Sequence, residues 1–380
     1  MEISKSVILD LSNGFQIYYN KINKMNITIQ EKSINDEDLN NIPDFSSYPS
    51  IIQTKIRSMT KKMHTYNFKT KLHSFTIHII SENENINTVQ NIIMLIYSWL
   101  NIVETKRNDK CSDNISIYLT LTDSLKLLPS IPNKVLDREH INTAFTYSCK
   151  KDNNIHIFRK EEWFKVFIHE TFHCFGLDFS HTDSNITNKM ASRIYHLNTD
   201  FRIYESYCET WATIINCLVI SSLRYKNKPR IIEHTFELLK KEIQHSLFQC
   251  NKLLHYYNTK YKDFYESDNN SQFNRIMKYK ENTPSISYYF FKTALLYDYN
   301  TFINWCHNNN ENVLNFNNQK NIYTKIENYC LLINSLSKNN TYTNEIEDSY
   351  EEVKEMMQKM KINNIYHLRT LRMTINDIPI

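Results

Sequence analysis

Glycine is almost missing from this chain. Two occur among 380 residues, where average usage near 7% would supply about 27. Asn, Ile, Lys and Tyr are abundant instead, as AT-rich coding produces. A glycine kept against that background is expected to have a backbone reason, and the two are Gly14 and Gly176. CxxC pairs are also missing. The eight cysteines (Cys111, Cys149, Cys174, Cys208, Cys217, Cys250, Cys306 and Cys330) are scattered, so their spacing does not indicate a cysteine-built zinc site. Several lie in apolar segments and read as small buried hydrophobes of an intracellular protein. Long hydrophobic runs are lacking as well. The most apolar one, Ile92 to Leu100, is short of the ~20 residues a bilayer needs. The N-terminal apolar stretch stops at Asp10, so no secretory signal peptide is readable. Neither sign of charge is in excess: Lys+Arg is 45 and Asp+Glu is 41, a net charge of +4. That balance speaks against a nucleic-acid partner, which calls for concentrated positive charge.

What is present is enough for a core. Hydrophobic residues make up 41% and aromatics 13%, which excludes global disorder. Three segments are expected: an ill-defined N-terminal region over 1–65, a sheet-bearing unit over 66–180 and a helical unit over 181–380. In the first, Phe15–Tyr19 alternates as a short strand and residues 31–50 read as a polar loop. In the second, Phe75–Ile80, Ile115–Leu121, Ala144–Ser148 and Ile155–Arg159 read as strands. Asn87–Thr105 and Lys160–Phe175 read as helices. After Gly176 come a polar connection over 177–200, a long helix over Tyr204–Leu223, and further helices over Ile231–Tyr261 and Ser285–Leu296. Residues 344–361 carry a charged helix expected to be exposed. The class is therefore α+β, with the strands in the first half.

The chemistry is concentrated in His169-Glu170-Thr171-Phe172-His173, an HExxH sequence. Random arrangement of this composition would give roughly 0.03 such matches. Trp163, Phe164, Val166, Phe167, Ile168, Phe172 and Phe175 surround it with apolar side chains, so the helix should be buried. Two histidines and a glutamate in a buried helix are costly without partners. Positions i and i+4 share a helix face, so both imidazoles can reach one Zn²⁺ at about 2.0–2.1 Å. Glu170, one residue further round, should reach a water activated by the metal. Gly176, three residues past His173, suits a left-handed cap that ends the helix.

With these residues the chain resembles the zincin metallopeptidases over roughly residues 70–220. The phrase from Arg159 through His173 with Gly176-Leu177-Asp178-Phe179-Ser180 is also similar to predicted metallopeptidases of large DNA viruses. The resemblance implies a zincin-like fold, with a mixed β-sheet and active-site helix followed by an all-α subdomain. It also implies an antiparallel edge strand along which a peptide substrate extends, either Ala144–Ser148 or Ile155–Arg159. The third ligand separates the subfamilies. The metzincin position holds Phe179, which cannot bind zinc, and Asp178 and His181 are out of register. Gluzincins place a glutamate on a following helix, and Tyr204-Glu205-Ser206-Tyr207-Cys208-Glu209-Thr210-Trp211-Ala212 opens one. Glu209 is the preferred ligand because Glu209 to Ala212 follows the gluzincin pattern. Glu205, on the same face, is the alternative or a supporting residue. Cys208 departs from the asparagine common there.

The reading that follows is a zinc-dependent metallopeptidase, with Glu170 as general base acting on a peptide or protein substrate. Its setting would be cytoplasmic or virion-associated, away from membranes. Tyr288 and Tyr289 are candidates for stabilising an oxyanion. The rival is a catalytically inactive zincin-fold structural or virion-associated protein.

Overall fold

The computed structural model describes residues 1–82, 84–106, 111–131, 134–316, 321–363 and 366–378. It opens with helix α1 (Glu2–Ile22) instead of a strand at Phe15–Tyr19. Ile8, Leu11, Phe15 and Ile22 are buried while Ile17 is 64% exposed, so the apolar residues follow a helical period. Gly14 sits inside α1 with Ile102 beside it; an added Cβ would stand 3.5 Å from Ile102 Cγ1. Its φ is not positive, so the special backbone expected of this glycine is absent.

Residues 31–50 also differ from the loop expected of them. They hold most of β1 (Gln30–Ile34), α2 (Asp36–Asn40) and a 3₁₀ turn (Phe45–Ser47), and α3 (Ser50–Ser58) follows. Ile34, Leu39, Ile42, Phe45 and Tyr48 join Ile80, Tyr118 and Phe158 in a small separate core. Their neighbours in sequence are polar, which hides the pattern.

The chain continues through β2 (Lys61–Lys69), β3 (Ser74–Ser81), α4 (Ile86–Glu104), β4 (Asn114–Thr120), α5 (Arg138–Ile141), β5 (Ala144–Thr146), β6 (Asp152–Ile157) and α6 (Trp163–Cys174). The six strands form one mixed sheet in the order β1-β2-β3-β4-β6-β5. The β3/β4 and β4/β6 pairs are parallel and the others antiparallel. Parallel neighbours need a crossover, and α4 supplies the first. By length and composition α4 could cross a membrane, but most of it is buried in this fold. Ile77, Ile79, Ile117 and Leu119 face the main core, while alternate residues Ile80 and Tyr118 face the small one, as strand pleating requires.

Cys111 and Cys149, whose spacing offers no reason to pair them, form a disulfide across 38 residues. It ties the entry to β4 to the turn after β5. The other six cysteines are free and buried. Closing a loop of that length is worth about 3–4 kcal/mol. Cys111→Ser/Cys149→Ser is expected to lose about that much stability in denaturant unfolding, and reductant should shift the unmodified chain equally.

The second half is helical: α7 (Ser184–Ala191), α8 (Tyr204–Arg224), α9 (Lys228–Tyr256), α10 (Asn269–Met277), α11 (Lys292–Tyr297), α12 (Tyr299–Asn309), α13 (Ile322–Ser337), α14 (Asn340–Asn363) and α15 (Tyr366–Arg369). Helix α7 lies within the stretch expected as a polar connection. Ser285–Leu296 divides into a π-helical turn (Ile286–Phe291) and α11. The charged helix α14 is not simply exposed, since Tyr342, Ile346, Val353 and Met357 are buried. One hydrophobic cluster runs from α1 through the sheet and α6 to α14. Helix α6 lies in this cluster, packed against β5, β6 and α8.

Candidate metal centre

Helix α6 is buried along its whole length. Its start is set by Glu162, a non-glycine residue with φ 61°. Such a conformation persists where the surroundings fix it. Glu162 Oε1 accepts the Met373 and Thr374 amides at 2.6 Å each, and Oε2 pairs with Lys126. Burial raises the Glu162 pKa, but Lys126, Lys165 and Arg372 bring it down to about 2. Midway, the Trp99 indole of α4 donates to Thr171 Oγ1 at 2.8 Å. The end is made by Gly176, whose φ of 62° is the left-handed cap expected of it. The Leu177 amide returns to Phe172 O at 2.8 Å and the Gly176 amide to His173 O at 3.1 Å.

That turn directs the chain to Asp178, whose Oδ2 contacts His173 Nδ1. The Ser180 hydroxyl and amide reach Asp178 Oδ1 at 2.8 and 3.2 Å. Cys208 Sγ lies 3.5 Å from Asp178 Oδ2 and 3.9 Å from His173 Nδ1. On the other imidazole, Glu209 Oε1 is 2.9 Å from His169 Nδ1, and Glu209 Oε2 pairs with the buried Lys165. A carboxylate thus stands behind each histidine.

The other ring nitrogens converge. His169 Nε2 and His173 Nε2 are 3.0 Å apart. Glu205 Oε2 is 3.0 Å from the first and 3.3 Å from the second. A tetrahedral ion with bonds of about 2.0–2.1 Å sets its ligand atoms about 3.3–3.4 Å apart, close to this triangle. Despite these short separations neither ring N–H is aimed at Glu205 Oε2, which is buried without a hydrogen bond. Such an oxygen is costly unless something positive meets it. His169, His173 and Glu205 therefore fit a metal ion.

The two glutamates exchange the places expected from the sequence. Glu209 was preferred at the shared face with Glu205 one turn away; instead Glu205 faces both Nε2 atoms and Glu209 stands behind His169. Lys165, one turn before His169 on α6, draws Glu209 to that side. Asp178, out of register as a ligand, supports His173. His181 is exposed, and Phe179 is buried against Phe316 at 4.3 Å between ring centroids.

The charges agree with this geometry. Burial disfavours protonated His169, yet Glu209 and Glu205 outweigh it and hold its pKa up at about 9. Burial works the same way on His173, and Cys208, Asp178 and Glu205 raise it well above the ordinary value. Glu205 is lowered to about 2, because His173 and His169 overcome the effect of its burial. Glu209 is lowered by Lys165 and His169, again against its burial. The carboxylates thus call for positive charge at the histidines, which protons or a divalent ion can supply; an ion would displace protons as it binds.

Glu170 differs from these. It is 7% exposed and has no hydrogen bond or ion pair among the described residues. Burial raises its pKa, with the histidines pulling the other way. It borders a cleft of about 390 Å³ together with His169, His173, Glu205, Tyr204 and Tyr288. The far wall is β5 and the turn after it, Ala144 to Ser148. Of the two strands proposed for an edge, β5 is the one: it ends the sheet and pairs with β6 alone, while β6 is interior.

The π-helical turn separates the two tyrosines. Tyr288 lines the cleft, 6.3 Å from His169 between ring centroids. Burial and the nearby Glu205, Glu209 and Glu170 keep its hydroxyl protonated. Tyr289 points away and donates to Leu371 O at 2.5 Å, so it is not placed to stabilise an oxyanion. Tyr204, which the sequence reading did not single out, packs edge-on to His173 at 5.8 Å between centroids. Its place immediately before Glu205 was the available signal. Lys165 carried none beyond lying in an apolar helix.

Comparison with known protein families, curated proteins and solved structures returns no match to this chain.

Proposed function

We propose that this chain is a zinc-dependent metallopeptidase with a gluzincin-like site, in which His169, His173 and Glu205 hold the ion and Glu170 is the general base. The observation that carries this reading is the convergence of two Nε2 atoms on Glu205 Oε2, a buried oxygen left without a hydrogen bond. Beside it lies a second carboxylate, Glu170, with no partner of its own. A scaffold has no use for that buried group, which disfavours the inactive alternative.

Zinc supplies acidification of water and polarisation of a carbonyl when bound. The chain's own residues do the rest. Asp178 holds the His173 imidazole by its Nδ1, and Glu209 stands behind His169 Nδ1 as a counter-charge, the place of supporting carboxylates. Glu170 takes a proton from the attacking water and passes it to the leaving amine. The Tyr288 hydroxyl donates to the substrate oxygen as negative charge builds there. The unpaired side of β5 offers main-chain hydrogen bonds to an extended peptide.

Elemental analysis of protein purified without chelator is expected to find about one zinc per chain, removed by chelation with a fall in thermal stability. A fully folded, metal-free chain indifferent to added zinc would defeat the reading.

A further inference from the structure

The metal cluster leaves open which peptides enter the cleft, and its charged border bears on that. Arg138 and Arg202 line the same cleft as the cluster, and among the described residues the only carboxylates lining it are Glu170 and Glu205. A divalent ion would balance those two acids, leaving the guanidiniums as the charge on the cleft's lining, Arg138 unpaired and Arg202 with Asp200 as its counter-ion. Arg202 is built in place. Its backbone is left-handed, with φ 41°, and its Nε donates to Asp200 Oδ2 at 2.7 Å. Its two terminal nitrogens make no hydrogen bond among the described residues. That leaves a planar fork suited to a carboxylate. Arg138 is exposed, and its side chain has no hydrogen-bond or ion-pair partner among the described residues. The remaining polar border is neutral, from residues such as Asn142, Asn282 and Thr283.

We infer that the cleft selects peptides bearing a carboxylate close to the bond that is cut, gripped by the Arg202 fork and attracted by Arg138. The carboxylate is an internal acidic side chain or the peptide's own C-terminus; both present the same group. This rests on the peptidase reading and adds the substrate class to it.

The test uses three matched fluorogenic peptide sets on the zinc-loaded chain: internal Asp or Glu with an amidated end, neutral sequence with a free C-terminal carboxylate, and neutral sequence with an amidated end. One acid-bearing set should exceed the neutral amidated set by about tenfold or more in kcat/KM. Which set gains identifies the source. Arg202→Lys, which keeps the charge and loses the fork, should reduce that ratio severalfold. Arg138→Gln, at an exposed position where folding is not at stake, should reduce it and weaken its dependence on salt. Equal kcat/KM across the three sets overturns the inference and leaves the peptidase standing. If nothing is cut, the peptidase reading falls. Fluorescence anisotropy of the same labelled peptides on the zinc-loaded chain then decides the inference: tighter binding of an acid-bearing set upholds the carboxylate site, and equal binding ends it.

Discussion

Glu170→Gln is expected to keep its zinc and lose peptidase activity by at least about 10²-fold, the usual worth of a general base. The amide has the same length and leaves His169, His173 and Glu205 untouched, so metal content measured on the same preparation should equal that of the unmodified chain. The direction of the stability change separates this site from an ordinary buried ion pair. Glu170 makes no salt bridge whose loss would cost stability, and burial disfavours its charged form. A neutral amide removes that penalty, so the variant should unfold at the same or higher denaturant concentration. A mutant that turns over the peptides as fast as the original chain would remove Glu170 from the chemistry. Loss of zinc would show instead that Glu170 supports the ion.

What the sequence revealed, and what it hid, follows from how each signal is carried. Helix α4 and strands β3 and β4 were legible because their apolar residues repeat at one period over most of a turn-bounded segment. Helix α1 was missed because Phe15-Gln16-Ile17-Tyr18-Tyr19 alternates over five residues, although its buried positions Ile8, Leu11, Phe15 and Ile22 repeat over three or more helical turns. Strand β2 was passed over because it is a polar strand: Lys61 and His64 are among its buried residues. Both histidines and Glu170 were readable because their spacing is itself the geometry of a helix face. The third glutamate was not. Glu205 and Glu209 are one turn apart on the same face, so local spacing admits both. The choice lies in tertiary contacts, above all Lys165, which is 44 residues from Glu209 in sequence.

Glu205→Gln and Glu209→Gln are expected to fail in different ways. Glu205 stands between the two Nε2 atoms, and losing a ligand should weaken zinc by more than about 100-fold, beyond the 10–100-fold typical of a supporting residue. Glu209→Gln should stay within that smaller range, because His169 keeps its Nε2 and loses only the charge behind it. Its larger cost falls on the fold. Glu209 neutralises Lys165, whose side chain is fully buried, and breaking such a pair from one side costs about 3–5 kcal/mol. Lys165→Met/Glu209→Gln removes both charges and should recover most of that stability without recovering zinc affinity. Competition with a chromogenic chelator measures the first quantity and denaturant unfolding the second. The opposite result, with zinc kept by Glu205→Gln and abolished by Glu209→Gln, would return the ligand to Glu209. The triangle formed by His169, His173 and Glu205 would then be a hydrogen-bonded cluster rather than a metal seat.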